Sequence, residues 1–304
     1  MRKHLFIINP AAGLQDASTD LIAKINALDS GLDVEYQLTK APGHAGEIVK
    51  EALASHPGEL SVYACGGDGT LFDVVNGGAG SPRFAVTSVP VGTGNDFIKS
   101  FPEYTPEDFR DLRKLVHGSF LPIDSMRVGD YTSVNIVSAG FDAITCKNMA
   151  KYKSKPIIGG KNAYNAALVE CLLFYRKHYL RVVADGEELS DGKNPLLFAL
   201  AANGRYYGGG YKASPISSLD DGLMDVITIP TLSILKFARF AGVYRRGEHI
   251  HNPKADFVNH SVRREMQLFA PDPIPMNVDG EIIEMRNPKI TLEPKSITVI
   301  LPQK

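Results

Sequence analysis

Near the N-terminus, three short apolar runs each end in a loop of small and turn-forming residues. Leu5–Ile8 runs into Asn9, Pro10, Ala11, Ala12 and Gly13; Leu60–Cys65 runs into Gly66, Gly67, Asp68, Gly69 and Thr70; Phe84–Val91 runs into Gly92, Thr93, Gly94, Asn95 and Asp96. Continuous apolar runs of this length suit strands buried on both faces, as in a parallel sheet covered by helices. In such a sheet the loops after the strands lie along one edge, where open α/β folds bind ligands. Glycine lets the backbone approach an anion closely, and amides at the start of the following helix point towards it. A carboxylate inside the Gly66–Thr70 turn would repel phosphate unless a divalent cation or a reacting hydroxyl lay between them. One such loop reads as a tight turn with a capping aspartate; three on one edge point to a nucleotide site.

The pattern divides the chain. Up to about residue 125, apolar runs alternate with helical segments at Thr19–Leu28, Ala45–Ala54, Leu71–Asn76 and Pro106–His117. From Ser125 onward the runs shorten and alternate, at Tyr131–Ala139, Leu180–Asp185, Leu197–Ala202, Met224–Ile229, Glu265–Phe269, Lys289–Leu292 and Ile297–Leu301, with helices around Ala163–Lys177 and Ser233–Arg245. The expected fold class is α/β in two domains. Residues 1–125 would form a mostly parallel, nucleotide-binding domain, and residues 126–304 a β-rich, antiparallel, sandwich-like domain for the second substrate. An active cleft between them is expected, with the last strand open to returning to the first domain.

A hydrophobic content of 44% over 304 residues suffices for two cores. Cys65, Cys146 and Cys171 show no metal-ligand spacing and read as free thiols of a reducing, cytoplasmic compartment. Met1 leads straight into a strand, so no leader is expected, and no apolar run approaches the ~20 residues of a spanning helix. No nucleic-acid partner is expected. His249 and His251 read as exposed loop residues rather than zinc ligands.

Taken in order, the motifs resemble the diacylglycerol kinase catalytic-domain family, shared by bacterial lipid kinases and sphingosine kinases. The matching residues are Asn9–Gly13, Thr39, Gly66–Leu71, Val75–Gly77 and Gly92–Phe97, then Asn203-Gly204, Gly208–Gly210, Pro215, Asp220–Asp225 and Asn277–Glu281. The resemblance implies ATP and Mg²⁺. It places Asn9, Pro10, Ala11, Ala12, Gly13, Thr39, Gly66, Gly67, Asp68, Gly69, Thr70, Leu71 and Thr93 around the nucleotide. It also implies that Asp68 organises the cation, with Asp96 and Asp124 near the metal–phosphate region. Asn95-Asp96 reads equally well as a helix N-cap. Phe72 departs from the family, which usually has asparagine there.

In the second half, Asp279-Gly280-Glu281 suggests a hairpin that lifts one carboxylate out of the sheet, and Glu281 is the expected general base for a lipid hydroxyl. The stretch from Ser218 to Leu223 looks like a structural metal loop of some bacterial members. There the Asp221 carboxylate would act with the Ser218 and Leu223 carbonyls, although Asp-Asp-Gly alone is an ordinary turn. The implied reaction is phosphoryl transfer to diacylglycerol, giving phosphatidic acid for phospholipid metabolism. Other acceptors (a sphingoid base, another glycerolipid, a soluble NAD-like molecule) stay open, as does a catalytically silent lipid-binding protein of the same fold. Residues 143–181 hold eight Lys/Arg against one acid, Glu170, which reads as a patch for peripheral contact with an anionic membrane or as a solvated loop. A homodimer is compatible with the sequence.

Overall fold

The computed structural model describes residues 2–13, 15–91, 95–153 and 163–304. The chain divides into two compact units, Met1–Ser125 with Leu219–Asp221 and Glu293–Lys304, and Met126–Ser218 with Gly222–Leu292. The first carries β1 (Lys3–Ile8), α1 (Ser18–Asn26), β2 (Asp33–Leu38), α2 (His44–Ser55), β3 (Leu60–Gly66), α3 (Asp68–Gly78), β4 (Phe84–Pro90), α4 (Leu112–Val116) and most of β5 (Ser119–Val128). The second carries β6 (Tyr131–Ser133), β7 (Ile136–Gly140), α5 (Phe141–Lys153), α6 (Ala163–Phe174), β8 (Arg181–Ala184), β9 (Glu187–Asp191) and β10 (Leu196–Ala202). It continues through β11 (Met224–Pro230), α7 (Ile234–Arg246), β12 (Asn259–Arg263), β13 (Glu265–Phe269), β14 (Ile274–Val278) and β15 (Glu281–Met285). The last strand, β16 (Lys289–Leu301), starts in the second unit and ends in the first.

In the first unit the strands run in the order β2-β1-β3-β4-β16, with parallel neighbours throughout. Every residue of β3 and β4 is buried, which accounts for their unbroken apolar sequences. The chain goes from β1 out to β2 and then back across β1 to β3, so strand order reverses between β1 and β3. That is the switch point at which such sheets open a crevice beyond their strand ends. Helices α2 and α3 pack backbone to backbone: a Cβ built on Gly77 would lie 2.5 Å from the Gly46 carbonyl oxygen.

The second unit is antiparallel. One sheet runs β12-β11-β10-β7-β14-β15. A further antiparallel ladder pairs the start of β16 with β13, then β8 and β9, in the same sheet as β4 and β16. Its core joins Leu197, Phe198 and Leu200 of β10 and Ile227 and Ile229 of β11 to Cys171 of α6 and Phe240 and Tyr244 of α7. Helix α7 carries both of its stop signals in sequence. The Ser233 hydroxyl accepts from the Lys236 amide at the N-cap, and Gly247 (φ +73°) closes the C-terminus.

Several elements differ from the sequence expectation. Pro106–His117 is not one helix but a 3₁₀ turn at Asp108–Arg110 followed by α4. Asp111 is extended (φ −82°, ψ 98°) and its carboxylate accepts from the Arg113 and Lys114 amides, so it restarts the helix. Tyr131–Ala139 breaks into β6 and β7, because the amides of Val134, Asn135 and Ile136 bond to Asp279 rather than to a ladder partner. The start of the basic stretch, with Lys147, is helical, in α5 as far as Lys153. His249 is fully buried against Tyr244 (ring centroids 4.7 Å apart), whereas His251 is exposed as expected. Apolar neighbours that arrive from α7 enclose His249, and a loop sequence does not show them. Among the described residues, no helix is long and apolar enough to cross a membrane.

Candidate active site

Hydrogen bonds within the first unit bring the three N-terminal loops together at the ends of β1, β3 and β4. Asn9 donates from its amide nitrogen to the Cys65 carbonyl (3.0 Å) and from Nδ2 to the Thr70 hydroxyl (3.0 Å). Its Oδ1 accepts from the Ala11 amide (3.0 Å), closing the Asn9–Gly13 loop as an Asx turn. Val91 N–H donates to the Gly66 carbonyl (3.1 Å), and the Asp96 amide donates to Asp68 Oδ1 (2.8 Å). The Thr39 amide donates to the Ile8 carbonyl (2.8 Å), so Thr39 stands at the same edge, beside Asn9.

Two glycines are required by contact. A Cβ on Gly66 would meet the Thr70 hydroxyl oxygen at 2.2 Å, and one on Gly13, at φ +84°, would meet the Val91 carbonyl oxygen at 2.8 Å. Around Gly67 a Cβ would meet nothing within 4 Å. Gly67 is the N-cap of α3 and supplies no side-chain cap to the first-turn amides of that helix. Asp68, the first residue of α3, accepts the Asp96 amide on Oδ1, which ties its carboxylate to the loop after β4; an oxygen donor of this kind is what a hard cation would need.

The remaining first-unit residues divide by role. Asp96 occupies the N-cap position of the 3₁₀ turn Phe97–Ser100 without making a side-chain cap, and its Oδ1 instead pairs with Lys99 Nζ at 2.6 Å. Leu71 is a correction: its side chain is buried and its amide donates to the Gly67 carbonyl (3.1 Å), so helix and core claim the groups expected to face a nucleotide. Phe72 is likewise buried. Thr93, with Gly92 and Gly94, lies outside the described residues. Asp124 is fully buried; its Oδ1 accepts from the Lys295 amide (2.8 Å), at a residue with φ +49°, and its own amide donates to the Leu219 carbonyl (2.7 Å). Those bonds make it a strut between β5, the 218–223 loop and β16.

Asp73 escaped the sequence reading. Its Oδ2 accepts from the Gly43 amide (2.8 Å), tying the Thr39–His44 loop to α3, and burial raises its carboxyl above the ordinary aspartate range. An acid in the second turn of a helix carries no signal for such a distant partner.

In the second unit, Asp279 and Gly280 form the expected two-residue hairpin between β14 and β15, both at positive φ (+50° and +104°). The two carboxylates of this turn part company. Asp279 points inward and accepts from the Ser133 hydroxyl and from the Val134, Asn135 and Ile136 amides, whereas Glu281 is exposed at the first position of β15. The turn is further closed by Asn277 Oδ1, which accepts from the Gly280 amide (2.8 Å). Gly208, Gly209 and Gly210 all have positive φ and make the tight turn between the bridged residues Tyr207 and Tyr211.

Ser217, Asp225 and His260 lie on one hydrogen-bonded line, but the carboxylate is in the middle. The serine donates to Asp225 Oδ2 (2.6 Å) and the imidazole bonds to Oδ1, so no base acts on the serine and hydrolase chemistry is not set up. Among the described residues no group of three or more His, Cys, Asp or Glu is placed to hold a metal. The loop from Ser218 to Leu223 carries two exposed carboxylates, Asp220 and Asp221, with Gly222 at φ +76°. Of the basic stretch, Lys147 pairs with Glu284, Arg181 pairs with Glu188 and Arg176 donates to the Leu232 carbonyl. Lys155 and Lys161, and the side chains of Lys151 and Lys153, lie outside the described residues.

Comparison with known proteins adds a family. Residues 3–128 match the model of the diacylglycerol kinase catalytic domain, and residues 133–301 match that of the YegS C-terminal NAD kinase beta sandwich-like domain. A diacylglycerol kinase of Bacillus subtilis (strain 168) is 29% identical, covering 100% of this chain and 97% of that protein. A protein named "Probable lipid kinase YegS-like" from Shewanella frigidimarina (strain NCIMB 400) is 25% identical over 95% of this chain and 92% of its own length. A crystal structure of a diacylglycerol kinase from Bacillus anthracis str. Sterne shares the fold, with a TM-score of 0.72 at 20% identity over 98% of this chain and 96% of that one.

Proposed function

This chain belongs to the diacylglycerol kinase catalytic-domain family, and from that premise we propose that it is an ATP-dependent lipid kinase that phosphorylates diacylglycerol to phosphatidic acid. The observation that carries this reading is the convergence of the loops after β1, β3 and β4, with the Asp68 carboxylate held by the Asp96 amide at the start of α3.

In this reading the first-turn amides of α3 and the Asn9–Gly13 loop hold the phosphates of ATP, and Thr39 borders them. Asp68 holds Mg²⁺, which when bound offsets the charge on the β- and γ-phosphates. The acceptor hydroxyl oxygen bonds to the γ-phosphorus as the bond to the β-phosphate oxygen breaks, ADP departs, and Glu281 receives the hydroxyl proton. Asp124 and Asp279 act as positioning residues. Asp221, with the Ser218 and Leu223 carbonyls, holds a structural cation. The exposed end of α6, with Leu173, Phe174 and Tyr175 beside Lys177, supports docking on an anionic membrane surface from the cytoplasmic side.

The test is incubation of the purified protein with labelled ATP, Mg²⁺ and mixed micelles carrying diacylglycerol or a sphingoid base. Label in phosphatidic acid is expected. Label on the sphingoid base alone, or on no lipid, refutes the diacylglycerol assignment.

A further inference from the structure

Helix α7 turns two faces to different surroundings. Its inner face joins the core through Phe240 and Tyr244, while Leu235, Lys236 and Arg239 on its outer face are exposed. The 3₁₀ turn Pro253–Ala255 and Phe257 complete, with α7, a groove of about 500 Å³. That volume falls among small-ligand sites, roughly 300–1,000 Å³. Its apolar wall includes Phe240 and Phe257, which meet edge to face with ring centroids 5.2 Å apart.

Three cations line the same groove, Lys236 and Arg239 from α7 and Lys254 from the turn, and among the described residues no carboxylate does. Lys236 Nζ stands 3.8 Å from the centroid of the Phe257 ring, which holds the ammonium against the wall. Lys236 and Arg239 are three residues apart on one helix face, where like charges repel. Among the described residues none of the three cations has an ion-pair partner. At the C-terminal end of the same helix, by contrast, Arg246 is paired with Glu248 through two bonds (2.9 and 2.7 Å). Cations gathered in a concave, partly apolar site without counter-charge focus a positive potential there.

This charge and shape define a ligand class. A carboxylate brings one negative charge, which leaves the groove mostly uncompensated. A phosphate monoester brings about −1.5 to −2 near pH 7 and three acceptor oxygens, enough for two ammonium groups and the fork of a guanidinium. We propose that the groove is a phosphate-monoester site, with Lys236, Arg239 and Lys254 around the phosphate and the organic body of the ligand against Phe240 and Phe257. It lies wholly in the second unit, whereas the candidate nucleotide loops belong to the first, and it does not depend on the lipid-kinase reading.

The experiment follows the methyl resonances of Leu235 and Val243, which line the groove and so report binding there rather than at the nucleotide loops. The protein is titrated with glycerol 3-phosphate, dihexanoyl phosphatidic acid or dihexanoyl phosphatidylcholine, each below its micelle-forming concentration. Saturable shifts are expected with a monoester and not with phosphatidylcholine, and added salt should weaken them. Saturation by glycerol 3-phosphate assigns the site to soluble phosphorylated compounds; saturation by phosphatidic acid alone assigns it to a lipid headgroup. Both results uphold a phosphate site. Arg239→Gln and Lys254→Gln change exposed side chains and should melt with the wild type. Each should raise Kd roughly two- to fivefold, as fits exposed charges, and the double variant about tenfold. Equal shifts from phosphatidylcholine, no saturable shift from either monoester, or an unchanged Kd in the double variant overturns the proposal.

Discussion

Asp279 and Glu281 stand two residues apart with opposite jobs, and Asp279→Asn separates them. Asp279 Oδ1 accepts from the Ser133 hydroxyl (2.6 Å), the Asn135 amide (3.2 Å) and the Ile136 amide (2.8 Å), while Oδ2 accepts from the Val134 amide (2.8 Å). Asparagine tolerates the left-handed φ of +50° at this position, so the substitution carries little backbone cost. Its side chain offers one acceptor oxygen and an NH₂ group. In the better orientation the oxygen replaces Oδ1, and the NH₂ then faces the Val134 N–H, donor against donor. One stranded amide costs about 1–3 kcal/mol, and the three remaining bonds lose their charge assistance, which brings the total to about 2–4 kcal/mol. At about 2–4 °C per kcal/mol for a unit of this size, the melting temperature should drop by roughly 5–15 °C. Circular dichroism on heating reads this directly. A shift of less than about 1 °C would refute the claim that this carboxylate holds the 133–136 segment.

Glu281→Gln should melt with the wild type, because Glu281 is exposed, yet lose roughly 10²–10⁴ in turnover with nucleotide binding retained; turnover within a few-fold of wild type removes it as the base. If Asp221 anchors a structural cation, a chelator should lower the melting temperature of the wild type and not of Asp221→Ala, since a ligand bound only to the native state stabilises it; equal shifts in both would end that assignment. Burial lowers the His249 pKa to about 4, with its Nε2 bonded to the Ala213 carbonyl. The unfolded chain then binds more protons than the native one below about pH 6.5, so stability should fall from there to about pH 4, by on the order of 3 kcal/mol. His4 and His178 are lowered by burial too and act in the same direction, so the test is the slope of urea midpoint against pH in wild type versus His249→Phe. An identical slope would show that His249 contributes nothing.

What could be read from the sequence was what short-range physics writes. Strands buried on both faces need continuous apolar runs, so β1, β3 and β4 were visible, and with them the edge where their loops meet. Asp279-Gly280 demands positive φ at both positions, so the hairpin was visible, as were the Ser233 and Gly247 ends of α7. A hydrophobic pattern says where a chain turns, but not what stands across from it.

Tertiary structure decided the rest, because the deciding partners lie far away in sequence. The Asp279 carboxylate faces inward on account of amides near residue 135, which leaves Glu281 as the exposed acid of the turn. Leu71 is withdrawn into the core by the packing of α3, and His249 is enclosed by rings of α7. One strand, β16, changes its pairing along its length: it is antiparallel to β13 at its start and parallel to β4 near its end, which no local pattern encodes. Asp142 reads in sequence as an ordinary acid in the first turn of a helix. Only tertiary packing buries its Oδ1 beside rings of α7 and β10.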